Sequence, residues 1–180
     1  MTSEESPSFQ ELLIDQVGNE FAASQQYIAV AVYFDGQDLP QLATRFYRQA
    51  LEERNHAMMI VRYLLDKDVP VAIPGVPAVV TEFHSVRQPV ELALNQERGV
   101  TEQITRLARA ARDGGDYLGE QFMQWFLKEQ VEEVASMTTL LTIVDRAGDN
   151  LFHLENFVAR ELNTEVPADP TAPATAGGAV

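Results

Sequence analysis

The chain has 180 residues, of which 46% are hydrophobic and 8% aromatic, and it carries a formal net charge of -14. It holds no cysteine, which excludes disulfides, zinc ribbons and thiolate clusters, so any metal must be held by oxygen and nitrogen, a ligand set that suits iron, manganese or zinc. The acidic balance argues against nucleic acid and anionic membranes as partners and favours cations, while the length suits one domain with a sizeable core.

The opening MTSEESPSFQ is acidic without an apolar run, so it does not read as a signal peptide. No apolar stretch of about 18 residues follows, and a soluble, cytoplasmic protein is expected. Pro7 and Ser8 open a helical pattern in which Phe9, Leu13, Gln16, Glu20, Ala23, Tyr27 and Phe34 fall near one face, until Asp35 and Gly36 interrupt it. Asp38-Leu39-Pro40 then predicts an N-cap with proline in the first turn, starting a second helix that runs to about Asp66 and would span roughly 43 Å. Its core-facing stripe, Leu42, Phe46, Gln49, Glu53, His56, Ile60 and Leu64, recurs at steps of 4, 3, 4, 3, 4 and 4.

From Lys67 to about Pro89 the chain is punctuated by Pro70, Pro74, Gly75 and Pro77 around VPVAIPGVPAVV. Such a segment is not helical and reads as an extended crossover running the length of a bundle, with a short strand pair as the alternative. A third helix is expected from about Val90 to Arg112, with Leu94, Glu97, Thr101, Ile104, Ala108 and Ala111 on its inner face. Asp113-Gly114-Gly115-Asp116 makes a tight turn into a fourth, from about Tyr117 to Val144, whose stripe is Phe122, Phe126, Gln130, Glu133, Met137, Leu140 and Val144. A short fifth helix is expected near Asn150 to Leu162. The architecture is thus all-α, a four-helix bundle with a long crossover between helices two and three and a short fifth helix. Residues 1–163 form the expected domain. The remainder, 164–180, is rich in Pro, Ala and Gly, has no periodicity, and is expected to be flexible.

Each long stripe is interrupted by polar residues near its middle: Glu20, then Glu53 with His56, then Glu97, then Gln130 with Glu133. Taken singly, a Glu-x-x-His pair is common, His56 could be a satisfied core histidine, and Glu129-Gln130-Val131-Glu132-Glu133 could be a solvated face. In antiparallel helices, however, mid-helix positions meet at one level. Four carboxylates converging in an apolar interior repel one another unless two divalent cations neutralise them. Glu53 is the natural shared ligand, with Glu20 and His56 completing one site and Glu97 and Glu133 the other.

The motifs NEFAASQQY, with Glu20 and Tyr27, LEERNHA, with Glu53 and His56, NQERGVTEQ, with Glu97, and QWFLKEQVEEV, with Trp125, Gln130 and Glu133, resemble those of the ferritins. The likeness is to bacterial non-haem and actinobacterial iron-storage ferritins, over about residues 9 to 160. Inward Glu and Glu-x-x-His residues are the known layout of ferritin-like di-iron proteins, so this arrangement is a match to a described pattern.

The resemblance implies a cytoplasmic homo-24-mer cage that takes up Fe²⁺, oxidises it with dioxygen or peroxide at the paired site and stores ferric mineral. It also implies Gln130 as a weak ligand, Tyr27 and Trp125 as aromatic groups near the centre, and Glu52, Glu129 and Glu132 as an auxiliary third iron position. Haem is not expected, because Arg54 and Gln130-x-x-Glu133 stand where bacterioferritins carry a haem-ligating methionine and a second Glu-x-x-His. Other readings are a DNA-shielding mini-ferritin, a peroxide-detoxifying protein, or a metal-binding bundle without turnover.

Overall fold

A computed structural model describes residues 7–164 and 167–180; the first six residues of the expected domain, and 165 and 166 of the expected tail, lie outside it. The chain forms α1 (Phe9–Asp35), α2 (Pro40–Asp66), α3 (Arg87–Asp113), α4 (Tyr117–Ala147) and a short α5 (Leu151–Phe157), which continues into one π turn, Val158–Leu162. There is no β-strand among the described residues, so the crossover reading holds over the strand pair. Helices α1 and α2 pack along each other, as do α3 and α4, and α1 also touches α3.

Local chemistry sets the helix ends. At α1 a capping box forms: the Ser8 hydroxyl accepts the Glu11 N–H at 3.3 Å while Glu11 Oε2 accepts the Ser8 N–H at 2.8 Å. Asp116 caps α4 by accepting the Gly119 N–H at 2.9 Å. The expected Asp38 cap of α2 is not formed. Asp38 sits in the left-handed region at φ 55°, and the N-cap position falls to Leu39, which has no side-chain oxygen to offer.

The cap comes instead from a distant residue. Glu155 of α5 accepts the N–H groups of Gln41 (2.8 Å) and Leu42 (3.0 Å), a carboxylate placed on the positive end of α2. Glu155→Ala is expected to cost about 1 kcal/mol and to raise amide exchange across α5 well before that of α4. Unchanged exchange in α5 would mean that its docking rests on Leu154 and Val158 alone.

The third helix begins at Arg87, earlier than the expected Val90. Pro89 is its third residue, where a missing N–H costs nothing because first-turn donors have no intrahelical partner. Gln88 Oε1 accepts the His84 N–H at 2.7 Å and helps close the entry. The crossover is pinned to α1 in two places. Gln26 exchanges two 2.8 Å hydrogen bonds with the Val80 peptide, imitating a strand pairing. Gly18 lies so close beneath Pro74 that an added Cβ would stand 2.8 Å from the proline ring.

The core is divided. One apolar cluster takes Tyr27 to Phe34, Leu42 to Ala50, Val90 to Leu94 and Met137 to Val144, together with Leu154 and Val158. The other takes Phe9 to Val17, Ala57 to Leu64, Val100 to Ala111, and Met123 with Phe126. On every long helix the polar interruption falls in the gap between the two. Of the stretch 164–180 expected to be flexible, residues 167–180 lie as irregular chain against α2 and α4, with the Ala176 N–H donating to the Met58 carbonyl at 3.0 Å and Asp169 accepting from Trp125.

Candidate metal centre

The gap between the two apolar clusters is filled by side chains from all four helices: Glu20 (1% exposed), Glu53 (0%), His56 (4%), Glu97 (0%), Gln130 (3%) and Glu133 (6%). One ligand atom from each of Glu20, Glu53 and His56 lies within 4.8 Å of the others, close enough to share one cation. Their positions follow from helical spacing, since Glu53 and His56 stand three apart on α2 and His56 Nδ1 approaches Glu53 Oε2 at 3.3 Å. Glu97 and Glu133 stand outside that tight group.

A web of donors holds the remaining oxygens. Gln16 Nε2 donates to Glu20 Oε1 at 2.8 Å, and Gln49 Nε2 to Glu133 Oε2 at 2.7 Å. The Tyr27 hydroxyl donates to Glu97 Oε1. Thr101 Oγ1 lies 2.9 Å from Gln130 Oε1, so the amide oxygen expected to serve as a weak ligand faces a hydroxyl. After this web is drawn, Glu20 Oε2, Glu53 Oε1 and Glu97 Oε2 are buried with no donor among the described residues. A buried oxygen of that kind is costly unless a proton or a cation meets it.

The electrostatics match. Loss of water, reinforced by the neighbouring Glu53 charge, pushes the Glu20 carboxyl up to about 8. Glu133 is pushed up to about 8 by burial and by Glu97, and Glu97 to about 7 by burial, against the lowering effect of Tyr27. Glu53 lies well above the usual carboxylate range, through burial and then the charges of Glu97 and Glu133. Such a cluster holds its protons near neutrality and yields them to cations, which bring the positive charge that the interior lacks. Oxygen-rich ligation with one imidazole suits a hard or borderline divalent ion, and iron fits the set.

Glu52, Glu129 and Glu132 are not in this buried layer. They line a neighbouring cavity of about 350 Å³ that His56 and Trp125 also border, and whose far wall is Pro167, Ala168, Asp169 and Ala172 of the tail. Of the three, Glu129 is the most enclosed, and burial raises its carboxyl. The Trp125 ring stands edge-on to His56 with centroids 5.6 Å apart, and its Nε1–H donates to Asp169 Oδ2 at 3.1 Å. Sequence reasoning missed two kinds of residue here. Gln16 and Gln49 were visible as polar members of apolar stripes but were not recognised as carboxylate partners, whereas nothing in the aperiodic tail pointed to Asp169.

A family model described as the ferritin-like domain matches residues 10–147. The chain is 68% identical over 172 residues to a protein named ferritin BfrB of Mycolicibacterium smegmatis, covering 96% of this chain and 94% of that one. To the ferritin BfrB of Mycobacterium tuberculosis it is 60% identical over 180 residues, covering 99% of each. Among solved structures, the open-pore ferritin of the archaeon Archaeoglobus fulgidus superposes with a TM-score of 0.82 at 26% identity, over 86% of this chain and 96% of that one.

Proposed function

Because the chain belongs to the ferritin family of iron-storage proteins, we propose that it oxidises Fe²⁺ at a paired-iron centre within each subunit and deposits the ferric product inside a closed assembly, which the resemblance sets at 24 copies. The observation that carries this reading is the buried layer in which three carboxylate oxygens have no donor among the described residues. Glu20, Glu53 and His56 would hold one iron, Glu53, Glu97 and Glu133 the other, with Gln130 as a weak neighbour. The Gln130 oxygen accepts from the Thr101 hydroxyl, so only its second lone pair would be left for an ion.

As each Fe²⁺ enters, the carboxyls that burial keeps protonated release their protons. Two ferrous ions side by side can give one electron each, so that dioxygen and two protons become hydrogen peroxide, or peroxide and two protons become two waters. Carboxylate oxygens favour the ferric ion that results, and the few protein ligands per iron leave positions for the oxidant.

We read Glu52, Glu129 and Glu132 as an auxiliary iron position, and Tyr27 and Trp125 as aromatic groups able to supply an electron. Residues 1–163 would form the iron-binding unit and 164–180 an appended segment. Arg54 and Glu133, standing where a haem-binding relative would place methionine and histidine, support a haem-free protein. Among the described residues no helix is long and apolar enough to cross a membrane.

The reading is tested by adding Fe²⁺ to metal-free protein in air. Oxygen uptake well above that of buffer is expected, with iron that co-migrates with a multi-subunit particle in scattering or native mass measurements. Iron bound without oxygen uptake would make the protein a bundle lacking turnover, while uptake confined to peroxide would make it a detoxifying enzyme.

A further inference from the structure

Two glutamines occupy core positions where helical periodicity calls for apolar side chains. Gln16 is 1% exposed and Gln49 0%, and each directs its amide nitrogen at one oxygen of a carboxylate at opposite ends of the buried layer. Gln49 reaches across from α2 to Glu133 on α4, whereas Gln16 reaches one turn along α1 to Glu20. The carbonyl end of Gln49 finds no donor in the described residues. A core amide left half-unsatisfied lowers stability relative to an apolar residue of the same shape. Its presence therefore points to what its N–H end does.

We infer that Gln16 and Gln49 are positioning residues that set how the two outer carboxylates bind metal. A carboxylate with one oxygen held by a buried N–H offers a cation its other oxygen. Glu20 shows this directly, because Oε1 is occupied by Gln16 while Oε2 has no donor. Glu133 is held in the same way at Oε2 by Gln49. Glu53, in the middle, keeps Oε1 without a donor and is free to be shared. Each tether keeps its carboxylate from swinging to grip one ion with both oxygens, which would fill the position an oxidant needs. The two tethers act on different ions: Gln16 through Glu20 on the iron beside His56, and Gln49 through Glu133 on the iron beside Glu97. The inference rests on the paired-iron reading above.

The test uses Co²⁺, titrated without air into the full-length protein and followed by visible absorption, which reports coordination number without any oxidation. In a Glu52→Gln, Glu129→Gln, Glu132→Gln background that removes the auxiliary position, the chain is expected to bind two Co²⁺, with His56→Ala identifying one binding step and Glu97→Gln the other. Gln49→Met keeps the size of the side chain and removes its N–H. It is expected to change affinity at least ~10-fold at the Glu97 step alone, with a weaker absorption band as coordination number rises there. Gln16→Met is expected to do the same at the His56 step alone. Gln49→Leu and Gln16→Leu serve in place of a methionine variant that proves unstable. If either glutamine variant moves both steps equally, or moves neither, the positioning role is wrong while the paired centre stands. If that background binds fewer than two Co²⁺ per chain, the paired centre itself is wrong and this inference goes with it.

Discussion

Glu53→Gln is expected to abolish the fast phase of iron-dependent oxygen uptake, lowering the initial rate at least ~100-fold, equivalent to about 2.7 kcal/mol of barrier. Glu53 is the carboxylate proposed to serve both ions, so the variant should weaken both and remove the charge that would hold them together. The fold should survive, since glutamine has nearly the same volume and the charge removed is one that the interior resists. His56→Ala should act on one ion and leave a partial rate. Glu102→Gln, an exposed acid on α3, is the control for loss of charge alone and should stay within about two-fold, a surface change being nearly neutral. Retention of more than half the rate in Glu53→Gln would remove this residue from the centre.

The second large effect is on stability. Metal-free protein should become less stable as pH rises from about 5 to about 8, each carboxyl that stays protonated only in the fold adding about 1.4 kcal/mol per pH unit. The sign follows from the direction of the shifts. Glu20 and Glu133 rise to about 8 and Glu97 to about 7 from an ordinary 4.5. Below the ordinary value both folded and unfolded chains hold these protons, and burial carries no charge penalty.

Between the two values the folded chain keeps protons that the unfolded chain has released, so rising pH favours unfolding. Above about 8 the penalty is complete. A redox-silent cation such as Zn²⁺ should offset part of the loss, adding about 2.7 kcal/mol per site at a hundredfold excess over its dissociation constant. Thermal unfolding at several pH values, with and without Zn²⁺, gives the comparison. The double variant Glu20→Gln, Glu133→Gln should flatten the metal-free profile, and parallel profiles for variant and wild type would show that the pH dependence arises elsewhere.

How much of this could be seen before the structure depends on the range of the interaction. The stripes of α1 and α2 were legible because burial follows a period of 3.6, and all fourteen of their named positions are buried. The level at which Glu20, Glu53, Glu97 and Glu133 meet was legible for the same reason, as antiparallel helices of similar length align their middles. Contacts across the chain were not. Asp38 is a good capping residue by type, but the turn needed it at positive φ, and Glu155, over a hundred positions away, took its place. Pro89 looked like a boundary although it fits a first turn. The seat of the tail on α2 and α4 depends on single polar contacts such as Asp169 with Trp125, which leave no periodic mark in the sequence.

The division of the core has a mechanical side. Two oily masses, one toward each end of the bundle, are joined across a slab of acids that attract neither each other nor the masses around them. Four unbroken helices run through that slab, and without a cation the cost of its buried acids falls on the region that joins the two masses. A pair of ions gripped from four helices would act as a keystone, making the subunit a single cooperative block. The cargo would then brace the container that carries it, and an iron-starved shell would be the softer one.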